Sequence, residues 1–424
     1  MLQHLAVRHW FAEMLSRPLE VLIGLCIFAA AASGCAVSSV ASTSLAILFI
    51  ACLFYIHKWP ELWRGLTRNE QLLLFGLALY ALSGLITYYN VSDENEYVKH
   101  MGRYIRFLLI VPVYLLLTRG NMQLFKYLVA GAITSGPLYL TFALISISER
   151  PGFPASGSYH HIAFGDAAML SVVFLLAVLV TWKTRPIIKV IVAFSIVCAL
   201  YASLLSQARG AWIALPFCGA LLLYVMAKHN KLKLKLAISV LLLVVVVIGV
   251  SPVRNIIEDR INQATQEVES FVNGEKFGSS VGTRLAMWQI ALDVWQEHPV
   301  IGTGLGDFDQ EIELRQSQGI YEQVEVHASA HNIFFQALAT TGLVGFLILL
   351  FALIIQPFRV FYHTSCEKLT SANLGGLIVI MAYLVFGLTA TWNLRAPELS
   401  VFLIYLITLS STVSKASKVV DPSH

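Results

Sequence analysis

Apolar runs of roughly twenty residues, broken by short polar stretches, recur along this chain, and about twenty residues of helix is what crosses a bilayer core of roughly 30 Å. Such runs fall near 19–36, 40–57, 70–89, 101–118, 123–146, 162–181, 187–206, 211–227, 235–250, 332–355, 372–391 and 398–413. Of the 424 residues, 57% are hydrophobic and 13% charged, with a mean hydropathy of +0.71. A soluble domain carries about 25% charged residues. The composition therefore excludes a water-soluble enzyme, a disordered chain and a nucleic-acid-binding domain. The expected fold is an all-α polytopic membrane protein of about 12 transmembrane helices.

An even span count puts both termini on one side, and Lys and Arg choose the side. With both termini cytoplasmic, 18 basic residues fall in inside segments and six in short outside segments: Lys99, Arg103, Arg106, Arg150, Arg209 and Arg395. The positive-inside rule counts short loops, so this orientation is the expected one. The 18 residues before the first span include Trp10, Phe11, Glu13 and Pro18, unlike a basic signal-peptide start. Ala-Ser-Gly-Cys35 faintly resembles a lipoprotein processing site, but small residues that pack helices are the commoner explanation.

Three regions follow: spans one to nine over 1–250, a long outside loop over 251–330, and spans ten to twelve with a short tail over 331–424. The 80-residue loop holds 13 of the 25 acids, five basic residues and no cysteine, so no disulfide framework is expected there. Helical spacing places Ile257, Ile261, Ala264, Val268 and Phe271 on one stripe, and Leu285, Trp288, Leu292 and Trp295 on another. These predict amphipathic helices that lie on the interface or cap the bundle. Pro299, Gly302, Gly304 and Gly306 in HPVIGTGLGDF end the second helix in a turn suited to tight chain reversal or close backbone approach.

Two groups of residues have the character of chemistry. His331-Asn332, nine residues, then Gly342-Leu-Val-Gly345 opens the tenth span. Read as one helix from His331, Gly342 and Gly345 return to the histidine's face and let a neighbour approach. A helix N-terminus disfavours imidazolium, and a neutral histidine can accept a proton. An interfacial histidine without a chemical role fits the same residues. The second group is the outside arginines: Arg209 in SQARGAW, Arg103 and Arg106 entering the fourth span, Arg395 before the last span, and Arg284 behind Thr283 as an N-cap. Guanidiniums at membrane-edge helix starts form anion sites, although a single one also snorkels to lipid phosphate. Five together predict a site for a diphosphate or multiply phosphorylated ligand.

Two weaker clusters favour plainer explanations. Asp307, Asp309, Glu311 and Glu313 have the look of a metal-binding acid pair but fit a solvated loop better. His160 and His161 with Asp166 lack a clear third metal ligand and fit a polar lining. No metal or cofactor is expected.

The histidine–glycine motif resembles that of the O-antigen ligases, membrane transferases of Gram-negative bacteria. SQARGAW, the segment RLAMWQIALDVWQEHPVIGTGLGDF from Arg284, and the loop between spans nine and ten are similar to the wider O-antigen ligase and polymerase superfamily. The resemblance implies transfer of O-antigen glycan from undecaprenyl diphosphate to lipid A-core, facing the periplasm at the inner membrane. It implies His331 as base, and Arg209 and Arg284, with Arg103, Arg106 and Arg395, as the diphosphate clamp. Asn332, His161, His327, Gly342 and Gly345 become acceptor or supporting residues. Partners would be the lipid-linked donor, the lipid A-core acceptor and membrane lipid, with no nucleic acid. The reaction expected is single-displacement, inverting and metal-independent. The single large loop favours ligase over polymerase, and the end of the chain soon after the last span argues against the protein O-oligosaccharyltransferase branch. A glycolipid transporter would show internal symmetry and unpaired mid-membrane charge, neither of which the sequence displays.

Overall fold

The computed structural model describes residues 2–119, 122–229, 262, 265, 280–321, 324–367 and 369–420. Among these residues every regular element is helical. In hydrocarbon each backbone N–H and C=O must find its partner inside its own segment, which leaves helices for apolar runs of this length. The chain runs α1 Leu2–Ser33, α2 Ser38–Leu53, α3 Trp59–Arg64, α4 Arg68–Ile86, α5 Glu94–Thr118, α6 Leu124–Glu149, α7 His161–Thr181, α8 Pro186–Leu205 and α9 Arg209–Lys228. After the undescribed stretch come α10 Ser280–Glu297, α11 Phe308–Ser317, α12 Ile333–Leu349, α13 Gln356–Glu367, α14 Ser371–Gly387 and α15 Ala396–Val420.

Eight helices among the described residues are long and apolar enough to cross a membrane, and α2 with the segment 56–64, bent by 68°, makes a ninth if counted as one. Pro18–Ser33 and Ser371–Gly387 are shorter apolar helices. Eleven of the twelve predicted spans coincide with helix; the remaining one, 235–250, lies outside the described residues, as does the predicted stripe over 257–271. The protein is a polytopic all-α membrane protein.

Helices apolar on every side belong at the centre of a bundle. α7 buries every residue from Ala163 to Val178, α14 is buried almost throughout, and α15 is buried from Leu399 to Ser411. α8 exposes Ile187, Val190, Phe194 and Val197 on its outer face. Small residues bring the helices together: the Cβ position of Gly136 on α6 meets Ser195 of α8, and that of Gly131 meets Phe28 and Ala31 of α1.

The loop segment is a lid packed on the end of the bundle. α10 buries Ala286, Met287, Ile290, Ala291 and Val294 with Phe308, Ile312, Val324 and Ala339. The expected stripe of Leu285, Trp288, Leu292 and Trp295 is only half-buried, because the lid's core lies about one residue further round the helix. Thr283 is not an N-cap: α10 begins at Ser280 and Thr283 lies inside its first turn.

Candidate active site

The site is built at a break in α12. Gly342 sits at φ 61°, ψ −166°, so the helix that starts at Ile333 is interrupted there. A regular helix would bond Leu343 N–H to Ala339 O and Val344 N–H to Thr340 O. Instead Leu343 N–H donates to Pro299 O (2.9 Å) and Val344 N–H to Val300 O (3.1 Å), while Ala339 O and Thr340 O accept from Thr303 N–H (2.9 Å) and Gly304 N–H (3.2 Å). The turn after α10 thus takes over both donors and both acceptors that the break releases, as buried backbone groups require. Side chains are excluded here: a Cβ on Gly342 would fall 2.3 Å from Val300 O, and one on Gly302 2.4 Å from Thr340 C.

This corrects the expectation for the glycine pair. Gly342 does not share His331's face of a continuous helix but makes the break that admits the loop. Gly345 packs against Thr341 of its own helix, where a Cβ would come 2.1 Å from Oγ1.

The same turn binds other helix ends. Asn90 Nδ2 donates to Gly302 O (2.8 Å), and Asp307 accepts from Ser92 N–H (2.7 Å) and Asp93 N–H (3.4 Å) ahead of α5. Burial pushes the Asp307 carboxyl upward against these bonds. Glu311 accepts from Thr303 Oγ1 (2.6 Å) and pairs with Arg315. Asp307, 1% exposed, and Glu311 therefore hold the lid together, which corrects the expectation of a solvated acidic loop.

His331 lies between two anchors. Ala330 N–H donates to Gln336 Oε1 (2.7 Å), while Asn332, the true N-cap of α12, accepts from Phe334 N–H (2.9 Å) and donates from Nδ2 to Leu388 O (3.1 Å). The helix begins at Ile333, so His331 stands just outside it, at φ 49°. That left-handed backbone is uncommon for residues other than glycine and marks a constrained position. His331 Nδ1 is buried and makes no hydrogen bond. Its ring meets that of His327 edge-on at 5.5 Å. Burial first, and then the charges of Arg395, Arg284, His327 and His160, push its pKa from 6.5 to about 3.

Those charges show which predicted residues come together. Arg284, on α10, is carried over the site by Trp288, whose Nε1 donates to Ala330 O (3.0 Å) and whose ring stacks on Phe335 at 5.3 Å. Arg395 precedes α15 in a turn stitched to the histidine segment by Thr391 Oγ1 on Ser329 Oγ (3.0 Å). His160 precedes α7, with its ring 4.3 Å from that of His161, and burial, His161 and Arg395 push its pKa from 6.5 to about 4. Arg284 and Arg395 also reach His161 and Asp166 electrostatically.

Arg209 opens α9 against the same α14–α15 turn, with its neighbour Gly210 so close to Thr389 that a Cβ would meet Oγ1 at 2.0 Å. Arg103 and Arg106 are not among the charges that act on His331. Arg106 Nη1 instead donates to Ser400 Oγ (2.7 Å), Ser42 Oγ (3.0 Å) and Ala396 O (3.0 Å), which ties α5 to α2 and α15.

Glu398 went unnoticed in the sequence. It lies in the first turn of α15, 2% exposed, with Oε2 3.6 Å from Arg395 Nη1. An acid inside an apolar run is costly and is a signal that could have found it.

The starts of α7, α9, α12 and α15 thus meet at one end of the bundle. The positive ends of their dipoles and the guanidiniums of Arg284 and Arg395 set positive charge beside a neutral histidine. Such a site, in a polytopic helical membrane protein, suits chemistry on an anionic, membrane-borne substrate. Residues 194–350, which include Arg209, Arg284, His331 and Gly342, match the sequence model of the family described as O-antigen ligase. That segment is similar to the family that the histidine–glycine motif resembles. An uncharacterized protein of Haemophilus influenzae is 23% identical over 349 residues, covering 80% of this chain and 84% of that protein.

Proposed function

We propose that the protein is a glycosyltransferase of the O-antigen ligase type, which moves O-antigen glycan from undecaprenyl diphosphate to a hydroxyl of lipid A-core. The observation that carries this reading is the neutral, unpartnered His331 nitrogen within the field of Arg284 and Arg395. In the proposed step the acceptor oxygen attacks the anomeric carbon and gives its proton to His331. The bond from that carbon to the phosphate oxygen breaks, and its electron pair stays on the diphosphate. Guanidiniums fixed in a site of low dielectric stabilise that developing charge without reorganising. Arg284, Arg395 and Arg209 take this role. Single displacement inverts the anomeric centre, and no metal takes part.

Burial first, and then the cations that cluster for the diphosphate, keep His331 a weak base. A bound diphosphate cancels the charges of Arg284 and Arg395, so the imidazole gains basicity when the donor is in place. Acceptor activation is thereby tied to donor occupancy.

The topology proposed with this function has twelve spans, both termini in the cytoplasm and the site facing the periplasm at the inner membrane. It rests on the distribution of Lys and Arg along the sequence.

The test is transfer by purified protein from lipid-linked glycan to lipid A-core. His331→Ala should abolish turnover while the protein stays folded, and full activity of that variant removes the base. Arg284→Ala should lose about tenfold or more, since a charge-assisted contact is worth about 1.5–3 kcal/mol. Lengthened lipid-linked glycan as the product would indicate a polymerase, and loss of activity to a chelator would overturn the metal-free mechanism.

A further inference from the structure

Arg395 is held in an unusual way. Its side chain is 14% exposed, its nearest acid is Glu398 at 3.6 Å, and Nη1 makes no hydrogen bond. At that separation the pair is held chiefly by charge and makes little use of the fork of donors that recognises phosphate. Both carboxyl oxygens of Glu398 are buried and without a hydrogen-bond partner. The backbone beneath the pair is rigid: Tyr383 Oη donates to Glu398 O (3.1 Å), Trp392 Nε1 to Tyr383 O (3.0 Å), and Leu399 N–H to Arg395 O (3.0 Å). Asp166 of α7, 3% exposed and with both oxygens likewise unpartnered, lies within electrostatic range of Glu398, Arg395 and Arg284.

Buried acids next to an anion clamp oppose the ligand that the clamp attracts. Their value follows from the charge balance of the transfer. The donor's diphosphate is esterified at both ends. When the sugar leaves with the acceptor oxygen, the diphosphate keeps the electron pair and gains an ionisable oxygen. The product is more anionic than the substrate, and a purely cationic clamp would hold it more tightly and release it slowly.

Resting on the glycan-transfer reading, we infer that Glu398 is a positioning residue that steadies Arg395 by charge, leaves its donors free, and speeds release of the diphosphate product by opposing the added negative charge. A merely structural Glu398 makes the opposite prediction, because an Arg395 that loses its support grips phosphate less well.

The experiment uses the full-length protein in vesicles, with inorganic pyrophosphate as an inhibitor competing with the lipid-linked donor. Glu398→Gln keeps the shape and removes the charge. Pyrophosphate should then inhibit about tenfold more tightly, the order expected for one opposing charge across a partly screened gap, and kcat should fall. Glu398→Asp, which restores the charge, should return both values towards wild type. Unchanged or weaker inhibition of Glu398→Gln overturns the inference. The wild-type protein gives a second test that needs no variant. It should bind a monoalkyl and a dialkyl diphosphate of the same chain with similar affinity, and a strong preference for the monoalkyl ligand overturns the inference. If neither pyrophosphate nor an alkyl diphosphate competes with donor in the wild type, the diphosphate-clamp reading itself fails.

Discussion

At the scale of single residues, the site trades stability for a base that is never charged before its substrate arrives. His331 has a pKa of about 3 in the folded protein, depressed first by burial and then by Arg395, Arg284, His327 and His160, against an ordinary 6.5. An unfolded chain takes up this proton more readily than the folded one, so folding stability falls as pH drops from 6.5 towards 3 and is fully present above that window. Each tenfold loss of proton affinity on folding corresponds to about 1.4 kcal/mol. The melting temperature of the wild type should therefore fall on acidification by more than that of His331→Gln, which has no proton to take up. Equal acid sensitivity of the two proteins, measured by thermal unfolding between pH 7 and pH 4, would contradict the buried, cation-flanked setting of the ring. His160 contributes in the same direction, with a pKa of about 4, so the variant should lose only part of the acid response.

At the scale of elements, the lid and α12 fold as one unit because each completes the other's backbone bonds. Gly342→Ala places a Cβ 2.3 Å from Val300 O at a backbone φ of 61°. Conformations of this kind cost a side-chain-bearing residue about 1–3 kcal/mol before any clash is counted. The variant should lose several degrees of melting temperature, and transfer with it, since the displaced turn follows α10 and so shifts Arg284. A Gly342→Ala protein with wild-type stability would show that the insertion does not hold the lid. This junction also marks where reading the sequence stopped working. Helical periodicity follows from neighbours a few residues apart, so the spans were legible. It treated 331–345 as one helix because nothing local shows that carbonyls from Pro299 and Val300 replace the ladder. The lid's buried face was misread for a related reason: the small residues Ala286 and Ala291 pack deeper than Trp288, whose indole is drawn to Ala330 O. His331 and Arg395 were legible because a cation or a histidine at the edge of an apolar run is conspicuous, whereas Arg284 stood out as a helix start behind an N-cap that Thr283 does not provide. Glu398 was hidden by its adjacency to Arg395, which makes it look like an ordinary i,i+3 pair.

At the scale of the whole molecule, one end of the bundle gathers the N-termini of α7, α9, α12 and α15, and the orientation of that end decides which substrates reach it. Basic residues crowd the opposite end, among them Lys58, Arg64, Lys183, Arg185 and Lys228, and segments rich in Lys and Arg stay in the cytoplasm. Positions on the two ends can be probed chemically, because Cys26, Cys35, Cys52, Cys198 and Cys218 are buried and unpaired. With Cys366 replaced by serine, a single cysteine would be introduced at Tyr89 (89% exposed) or Phe153 (68% exposed), both at the end that holds His331. Each should react with a membrane-impermeant thiol reagent in intact spheroplasts. Cysteine in place of Trp63 or Arg185, at the basic end, should react only after the membrane is opened. The reverse pattern would face the site towards the cytoplasm, where nucleotide-activated sugars rather than glycans assembled on a lipid carrier and flipped outward are the available donors. The proposed transfer would then fail, whatever the arrangement of His331 and the arginines.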